Sequence, residues 1–438
     1  MPIPLLGHSS VVFFGLVLTL SAVGPTATLA GPPVAPASHG IDVQTCDWST
    51  AFSVPGPNGR VTASVVFDDG TGPALYVGGH FTTVDRSAIS GIARWDGTTW
   101  SAVGAGFRGE IFALTVFDDG SGPALYAAGN MIYAGDSTIG RIAKWDGSTW
   151  SGLGVDDAGF FGIYALAVFD DGNGPKLAVG GTFDSLGGVA APSIAAWNGT
   201  TWEAIGAGTN PFGAVFSFAT QGGVLYAAGS FSTIDGEAIS DLAAWDGTRW
   251  SAVGDASLRF IDLYSLAIYD DGGGPDLYAA SFQSFIGGVA TDNRVLRWDG
   301  STWEAIGEDF GEEYPVGLAV HDDGTGPVLF VSAYYDYFAA DGRRIVKRLA
   351  SWDGTTWTDE ATGLATGVYT MATFDDGSGP RLIVGGAHAE GAEVASVMQR
   401  RGDGSWSPLT DEPRGLGMRQ TVEAFTRFDD GSGPALYA

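Results

Sequence analysis

The chain has 438 residues, 68 of them glycine, and 50 acidic against 21 basic side chains give a net charge of −29. That acidity excludes nucleic acid and anionic membrane surfaces as partners, because like charges repel at range. The single cysteine, Cys46, cannot pair within the chain, so stability must come from packing rather than disulfides.

In chain order, the apolar run Val11–Leu20 and the small residues ending in Thr28-Leu29-Ala30 read as a secretory signal peptide over residues 1–30, although no Lys or Arg precedes the run. Residues 31–43, rich in Pro, Ala and Ser, read as a flexible leader. Residues 44–438 are expected to form a single domain. No other segment has the length and apolarity of a membrane span. Cys46 follows Val43-Gln44-Thr45, which is not a lipobox. The expected location is outside the bacterial cytoplasm, secreted or on the cell surface.

From here two motifs alternate. The first, Phe-Asp-Asp-Gly-x-Gly-Pro-x-Leu-Tyr, begins at Phe67, Phe117, Phe169, Tyr269, His321, Phe374 and Phe428, and a worn copy over 217–229 carries Gln221-Gly222-Gly223 instead. The second, Ala-x-Trp-Asp-Gly-x-x-Trp, supplies the pairs Trp95/Trp100, Trp145/Trp150, Trp197/Trp202, Trp245/Trp250, Trp298/Trp303 and Trp352/Trp357. A seventh copy keeps only Trp406, with Arg401 read as standing where the first Trp belongs. Neighbouring intact copies of the first motif start 50 to 54 residues apart, a period that signals a solenoid, propeller or array.

The unit from Ile111 to Gly154 shows what each repeat must be. Ile111–Phe117 and Ala124–Ala128 are apolar, β-prone runs joined by Asp118-Asp119-Gly120-Ser121-Gly122-Pro123, which is dense turn chemistry. After a polar segment, Arg141–Trp145 and Trp150–Leu153 flank a second turn. Each unit is therefore four short strands with no helical periodicity. The expected fold is all-β, a β-propeller of four-stranded antiparallel blades. The Trp pair is expected to face across its hairpin in every intact copy, adding about 0.5–1.5 kcal/mol beyond burial. A lone blade cannot cover its own faces, so its neighbours must.

Seven complete repeats run from Val61 to about Leu409. Trp48 resembles the tail of another, and Thr421–Ala438 the first hairpin of another, so eight positions with one incomplete are favoured over seven with a dangling end. The chain stops inside a strand at Leu436-Tyr437-Ala438, and a C-terminal truncation is expected.

The period, the Gly pairs Gly78-Gly79, Gly180-Gly181 and Gly385-Gly386, and the late paired aromatics resemble the kelch/galactose-oxidase class of propellers. The repeat is also similar to that of large secreted bacterial proteins built from FDDGSGPALY and WDGxxW units. The kelch Tyr–Trp spacing is not reproduced and no Tyr/Cys/His copper set is present, so the resemblance implies the fold without oxidase activity. Tyr269–Leu277, with Asp276, is similar to an integrin-type calcium hairpin, but its carboxylates are adjacent where calcium needs alternate acidic oxygens. Asp-Gly-x-x-Trp resembles the sialidase Asp-box one residue short, itself a structural hairpin.

The two turns of each blade must emerge on one face, which the aspartates would crowd. The opposite face, built from the loops between second and third strands and the blade connections, is where the units differ and where a site is expected. Its most distinctive loop holds Tyr334, Tyr335, Asp336, Tyr337 and Phe338, then Arg343 and Arg344, and suits a glycan or an anionic partner; packing of these aromatics on the next blade is the alternative. His80 and His388 follow Gly-Gly in their units and read as incidental. No nucleophile–base grouping and no asymmetric carboxylate pair stands outside the repeat. The expectation is a monomeric, secreted, non-catalytic module binding protein or glycan, without cofactor. The alternatives are an extracellular glycosidase or lyase using the central channel, and a calcium-dependent adhesion module.

Overall fold

The computed structural model describes residues 60–84, 87–95, 99–131, 133–154, 162–254, 258–286, 289–291, 295–307, 310, 314–334, 348–360, 366–375, 380–388, 397–402, 404–408, 426–429 and 434–437. All belong to the second of two compact units, Ser49–Ala438. Residues 1–30 and 31–43, read above as signal peptide and leader, lie outside them, as do Cys46 and Trp48. Among the described residues there is no helix, and the chain is all-β.

Seven sheets follow one another, each a meander in which the chain's order of strands is their spatial order. The second is representative: Ile111–Asp118, Pro123–Gly129, Ile142–Trp145 and Trp150–Gly152. The fifth carries a short extra strand, Val289–Ala290, on its lengthened second strand. Thr426–Asp429 and Pro434–Tyr437 form a further hairpin. The first strands of consecutive sheets stand side by side, and Thr426–Asp429 contacts both Thr366–Asp375 and Arg60–Asp68. Four-stranded sheets laid side by side in this way have the form of propeller blades.

The core lies between blades. Ile92 and Ala93 of the first sheet are buried with Ile111, Leu125 and Trp145 of the second. The same layering recurs at each later seam, for example Leu177 and Val179 with Ala128 and Ile142. Neighbour covers neighbour, as a half-apolar sheet requires.

The Trp-Asp-Gly hairpin supplies the seam. Trp145 lies directly opposite Trp150, with ring centroids 5.2 Å apart, and the pairs of the third to sixth blades are separated by 5.2–5.5 Å. The second indole does more than pair. Its N–H donates to a carbonyl of the preceding blade: Trp150 to Val103 (3.2 Å), Trp202 to Leu153 (2.8 Å), Trp250 to Ile205 (2.8 Å), Trp303 to Val253 (2.7 Å) and Trp406 to Glu360 (2.7 Å). The glycine of the same turn is pressed on the preceding blade's acidic turn. A Cβ on Gly199 would collide with the Asp119 carbonyl, and one on Gly247 would stand 3.0 Å from that of Asp171.

One intact copy differs in the bond of its second indole. Trp357 faces Trp352 with centroids 5.2 Å apart, and Phe310 meets it edge-on at 5.4 Å. Its buried N–H, however, finds no acceptor among the described residues, where the pattern would give the Ile306 carbonyl. The indole lies over Gly307, where a Cβ would collide with it, much as the Trp303 indole lies over Gly254 and still donates to Val253. Trp100 lies opposite Trp95 in the ladder and packs, half-buried, against the first seam. The Trp95 side chain and the segment around Trp48 lie outside the described residues.

The seventh blade corrects an expectation. Trp406 pairs with Arg400, not Arg401, because the turn between them is one residue longer than in the other copies. Arg400 Nε and Nη2 donate to Glu360 Oε2 and Oε1 at 2.8 and 3.1 Å. Glu360 occupies the place held by Val103, Leu153, Ile205, Val253 and Ile306 in the earlier blades. A buried ion pair thus replaces an indole against an aliphatic side chain.

Candidate functional site

The repeated aspartates are engaged by the turns they sit in. Asp118 Oδ1 accepts from the N–H of Gly120 (2.9 Å) and Gly122 (3.0 Å). Asp119 Oδ1 accepts from the N–H and hydroxyl of Ser121, and its Oδ2 from the Tyr126 hydroxyl (2.9 Å) and the Lys144 ammonium. Burial works against the Asp119 charge, but these donors outweigh it and hold the carboxyl at about 2. Asp69 with Tyr76 and Arg94, Asp171 with Lys176, and Asp271 with Arg297 repeat the arrangement. In the second turn Asp146 Oδ1 accepts from Ser148 N, Ser148 Oγ and Thr149 N, each at 2.8 Å. Asn198 does the same work with a neutral amide oxygen, so the turn needs an acceptor and not a charge. Among the described residues no group of three or more His, Cys, Asp or Glu is placed to hold a metal ion.

The opposite ends of the first strands are built differently. In every complete sheet the ladder skips one residue of the first strand: Thr62, Phe112, Tyr164, Phe216, Tyr264, Val316 and Tyr369. A bulge leaves its extra residue unpaired and re-aims the side chain. Glycine in the second strand makes room for it in several blades. Gly129 and Gly229 face Ile111 and Val215, where a Cβ would collide with the carbonyls of Glu110 and Ala214.

The bulge residues of four successive blades form one aromatic row. Ring centroids are 5.5 Å apart for Phe112–Tyr164, 5.8 Å for Tyr164–Phe216 and 6.1 Å for Phe216–Tyr264. The first two contacts are tilted and the last stacked, so the row curves. Phe112, Tyr164 and Phe216 are half-buried, and Tyr264 is 36% exposed. Burial, with the Asp262 charge nearby, pushes the Tyr264 phenol up to about 12, so it stays a neutral donor at ordinary pH. In the first blade the row does not begin: Thr62 is buried and its hydroxyl bonds to the Gly78 carbonyl. Val316 ends it at the sixth. A separate pair, Phe282–Tyr314, stands where the fifth and sixth blades meet, with centroids 4.2 Å apart.

Exposed apolar side chains share this end of the blades. Of the seven large ones among the described residues, Tyr133, Phe212, Tyr264, Phe282 and Val289 lie on bulges, connections or second-to-third loops, away from the aspartate turns. Val168 and Val320, the other two, line the first strands.

The loop singled out from the sequence is described only at its start. Tyr334 ends the strand Pro327–Tyr334 opposite Tyr314, while Tyr335, Tyr337, Phe338, Arg343 and Arg344 lie outside the described residues. His80 and His388 close equivalent second strands in blades one and seven, and His80 is exposed. The row carried a readable signal: Phe112, Tyr164 and Tyr264 each stand five residues before the first residue of an acidic-turn motif. What was missing was the bulge, which turns that position out of the alternation.

No family model matches this chain, and no curated protein matches it. Among solved structures it is similar to the computationally designed Ika8 protein, with 13% identity over 88% of this chain and 98% of that one and a TM-score of 0.52. It is also similar to an ancestral GH74 enzyme, with 16% identity over 73% of this chain and 41% of the enzyme and a TM-score of 0.44. A third, at a TM-score of 0.29 and 12% identity over 88% and 94% of the two chains, is a polysaccharide lyase, PL25 ulvan lyase, bound to a GlcA–Rha3S glycan. At such identities likeness bears on fold alone.

Proposed function

We propose that the chain is an extracytoplasmic, non-catalytic β-propeller of kelch/galactose-oxidase type, closed with eight positions around a channel, that binds a glycan at the channel mouth lined by Phe112, Tyr164, Phe216 and Tyr264. The observation that carries this reading is the aromatic row. Four adjoining rings on rigid inner strands offer apolar, electron-rich faces to the C–H faces of sugars, and the two tyrosine hydroxyls add polar contacts. Closure is supported by the hairpin Thr426–Tyr437, whose first strand touches the first strands of both the first and seventh sheets. The extracytoplasmic placing rests on the signal-peptide pattern of residues 1–30. A binding role is favoured over hydrolysis or elimination because the repeated carboxylates are bonded into turns at the far ends of the first strands.

A glycan array probed with the wild type, Tyr164→Ala and Phe216→Ala tests the reading. Both variants should lose the wild-type signal while keeping a folded Tm. Undiminished binding by both would refute it, and loss on Tyr335→Ala alone would move the site to the Tyr334–Arg344 loop.

A further inference from the structure

Phe212 has an unusual combination of exposure, strain and support. It is 87% exposed, the most open large apolar side chain among those described, and its backbone is left-handed with φ 65°. A bulky L residue is strained there, and glycine or asparagine would relieve it. Nothing in the core demands the ring. Yet the loop that presents it is firmly braced. Asn210 Oδ1 accepts from the N–H of Ser232 (2.7 Å) and Thr233 (3.2 Å). Gly213 N donates to the Asn210 carbonyl at 2.9 Å, and the buried Ser193 hydroxyl donates to the Gly213 carbonyl at 2.7 Å. Gly213 itself admits no side chain, since a Cβ would lie 2.5 Å from Thr209 Oγ1.

Phe212 lies in the connection between Ile205 and the bulge at Phe216, which has the same length as those from Leu153 to Tyr164 and from Val253 to Tyr264. It precedes Phe216 of the aromatic row by four residues, so the two lie within about 14 Å along the chain. Strain that a rigid frame maintains on an exposed side chain marks a contact made with something outside the fold.

We infer that Phe212 is a ligand-contacting residue, a raised platform at the rim that takes a further sugar ring of a neutral oligosaccharide whose first rings lie on Phe112, Tyr164, Phe216 and Tyr264. This rests on the reading of the row as a glycan site. It makes the ligand a chain rather than a single sugar. Neutrality follows from the net charge of −29 and from Glu110 and Asp262, each two residues before a member of the row, which repel uronates and sulfated sugars.

Binding is measured on an array of neutral hexasaccharides and their disaccharides, for the wild type, Phe212→Gly and Phe216→Ala, with Tm recorded for each. Phe212→Gly should keep or raise Tm, weaken hexasaccharide binding about tenfold and leave disaccharide binding unchanged. Phe216→Ala should weaken both. Hexasaccharide binding at wild-type strength by Phe212→Gly overturns the role of Phe212 while leaving the row intact, if Phe216→Ala still loses signal. A fall in Tm alongside lost binding makes Phe212 structural and overturns it equally. A wild type that retains a polypeptide from culture medium and no array glycan sinks both readings.

Discussion

The seam between the sixth and seventh blades holds a charged exchange that can be reversed. Glu360 is 6% exposed and accepts from both Arg400 nitrogens and from the Ser351 hydroxyl at 2.9 Å; the Arg400 side chain is 25% exposed. Arg400→Trp strands the carboxylate with one hydroxyl donor and should cost about 3–5 kcal/mol, the range for breaking a buried pair. Glu360→Val strands a guanidinium that can still reach water, so its cost should be smaller, about 1–3 kcal/mol. The double variant restores the indole-on-aliphatic contact of the earlier seams. It should fall within about 1 kcal/mol of the wild type or exceed it, giving a coupling energy of about 3 kcal/mol or more. For a unit of the size of Ser49–Ala438, an unfolding entropy of about 2.1 cal/mol/K per residue makes each kcal/mol worth about 1 °C in Tm. Thermal melts of the four proteins would therefore show two depressed values and one recovered. Additive losses in the double variant, with coupling below about 0.5 kcal/mol, would refute the exchange.

Three further outcomes follow from the same geometry. Trp250→Phe keeps an aromatic ring but orphans the buried Ile205 carbonyl, and should destabilise by about 1–3 kcal/mol in chemical denaturation; Trp357→Phe, which removes an N–H that has no acceptor among the described residues, should cost less. His321, which stands where most copies have Phe, is lowered by burial from 6.5 to about 4, Arg400 assisting and Asp323 and Asp322 opposing. Its folded value lies below the unfolded one, so stability present above pH 6.5 is lost as pH falls towards 4, by about 3 kcal/mol at most. His321→Phe should flatten the Tm profile across that window, and an unchanged slope would assign it to other groups. EDTA should leave Tm within error, since the turn carboxylates are occupied by N–H, hydroxyl and ammonium donors; a drop of several degrees would show calcium bound at these turns.

The all-β blade pattern could be read from the chain because a blade is a local object. Turn residues at fixed offsets and a Trp facing a Trp across four residues need no knowledge of distant contacts. What could not be read arises between units. The backbone carbonyls that receive the indole N–H groups of Trp150, Trp202, Trp250 and Trp303 carry no residue signature. Trp357 has the same intact motif, yet its N–H has no acceptor among the described residues. The misplacement of Arg401 for Arg400 came from assuming a constant turn length, which only the ladder corrects. The aromatic row was present at a fixed offset, but strict alternation would turn Phe112 and Ala113 to opposite faces, and the skipped register removes that rule. Phe212 was passed over because an isolated Phe in a Gly/Pro loop carries no pattern at all.

Among the described residues, the five indole bonds run the same way, from a later blade to an earlier one. A chain that leaves a cell N-terminus first would present each acceptor before its donor arrives. Every new blade can then dock on a neighbour already outside, with no partner still inside the membrane. Growth in one direction also means that a duplicated blade brings its own donor and meets an acceptor made of backbone, which any sequence provides. The direction of these small bonds is thus a rule for lengthening the array, by export in one lifetime and by duplication over many.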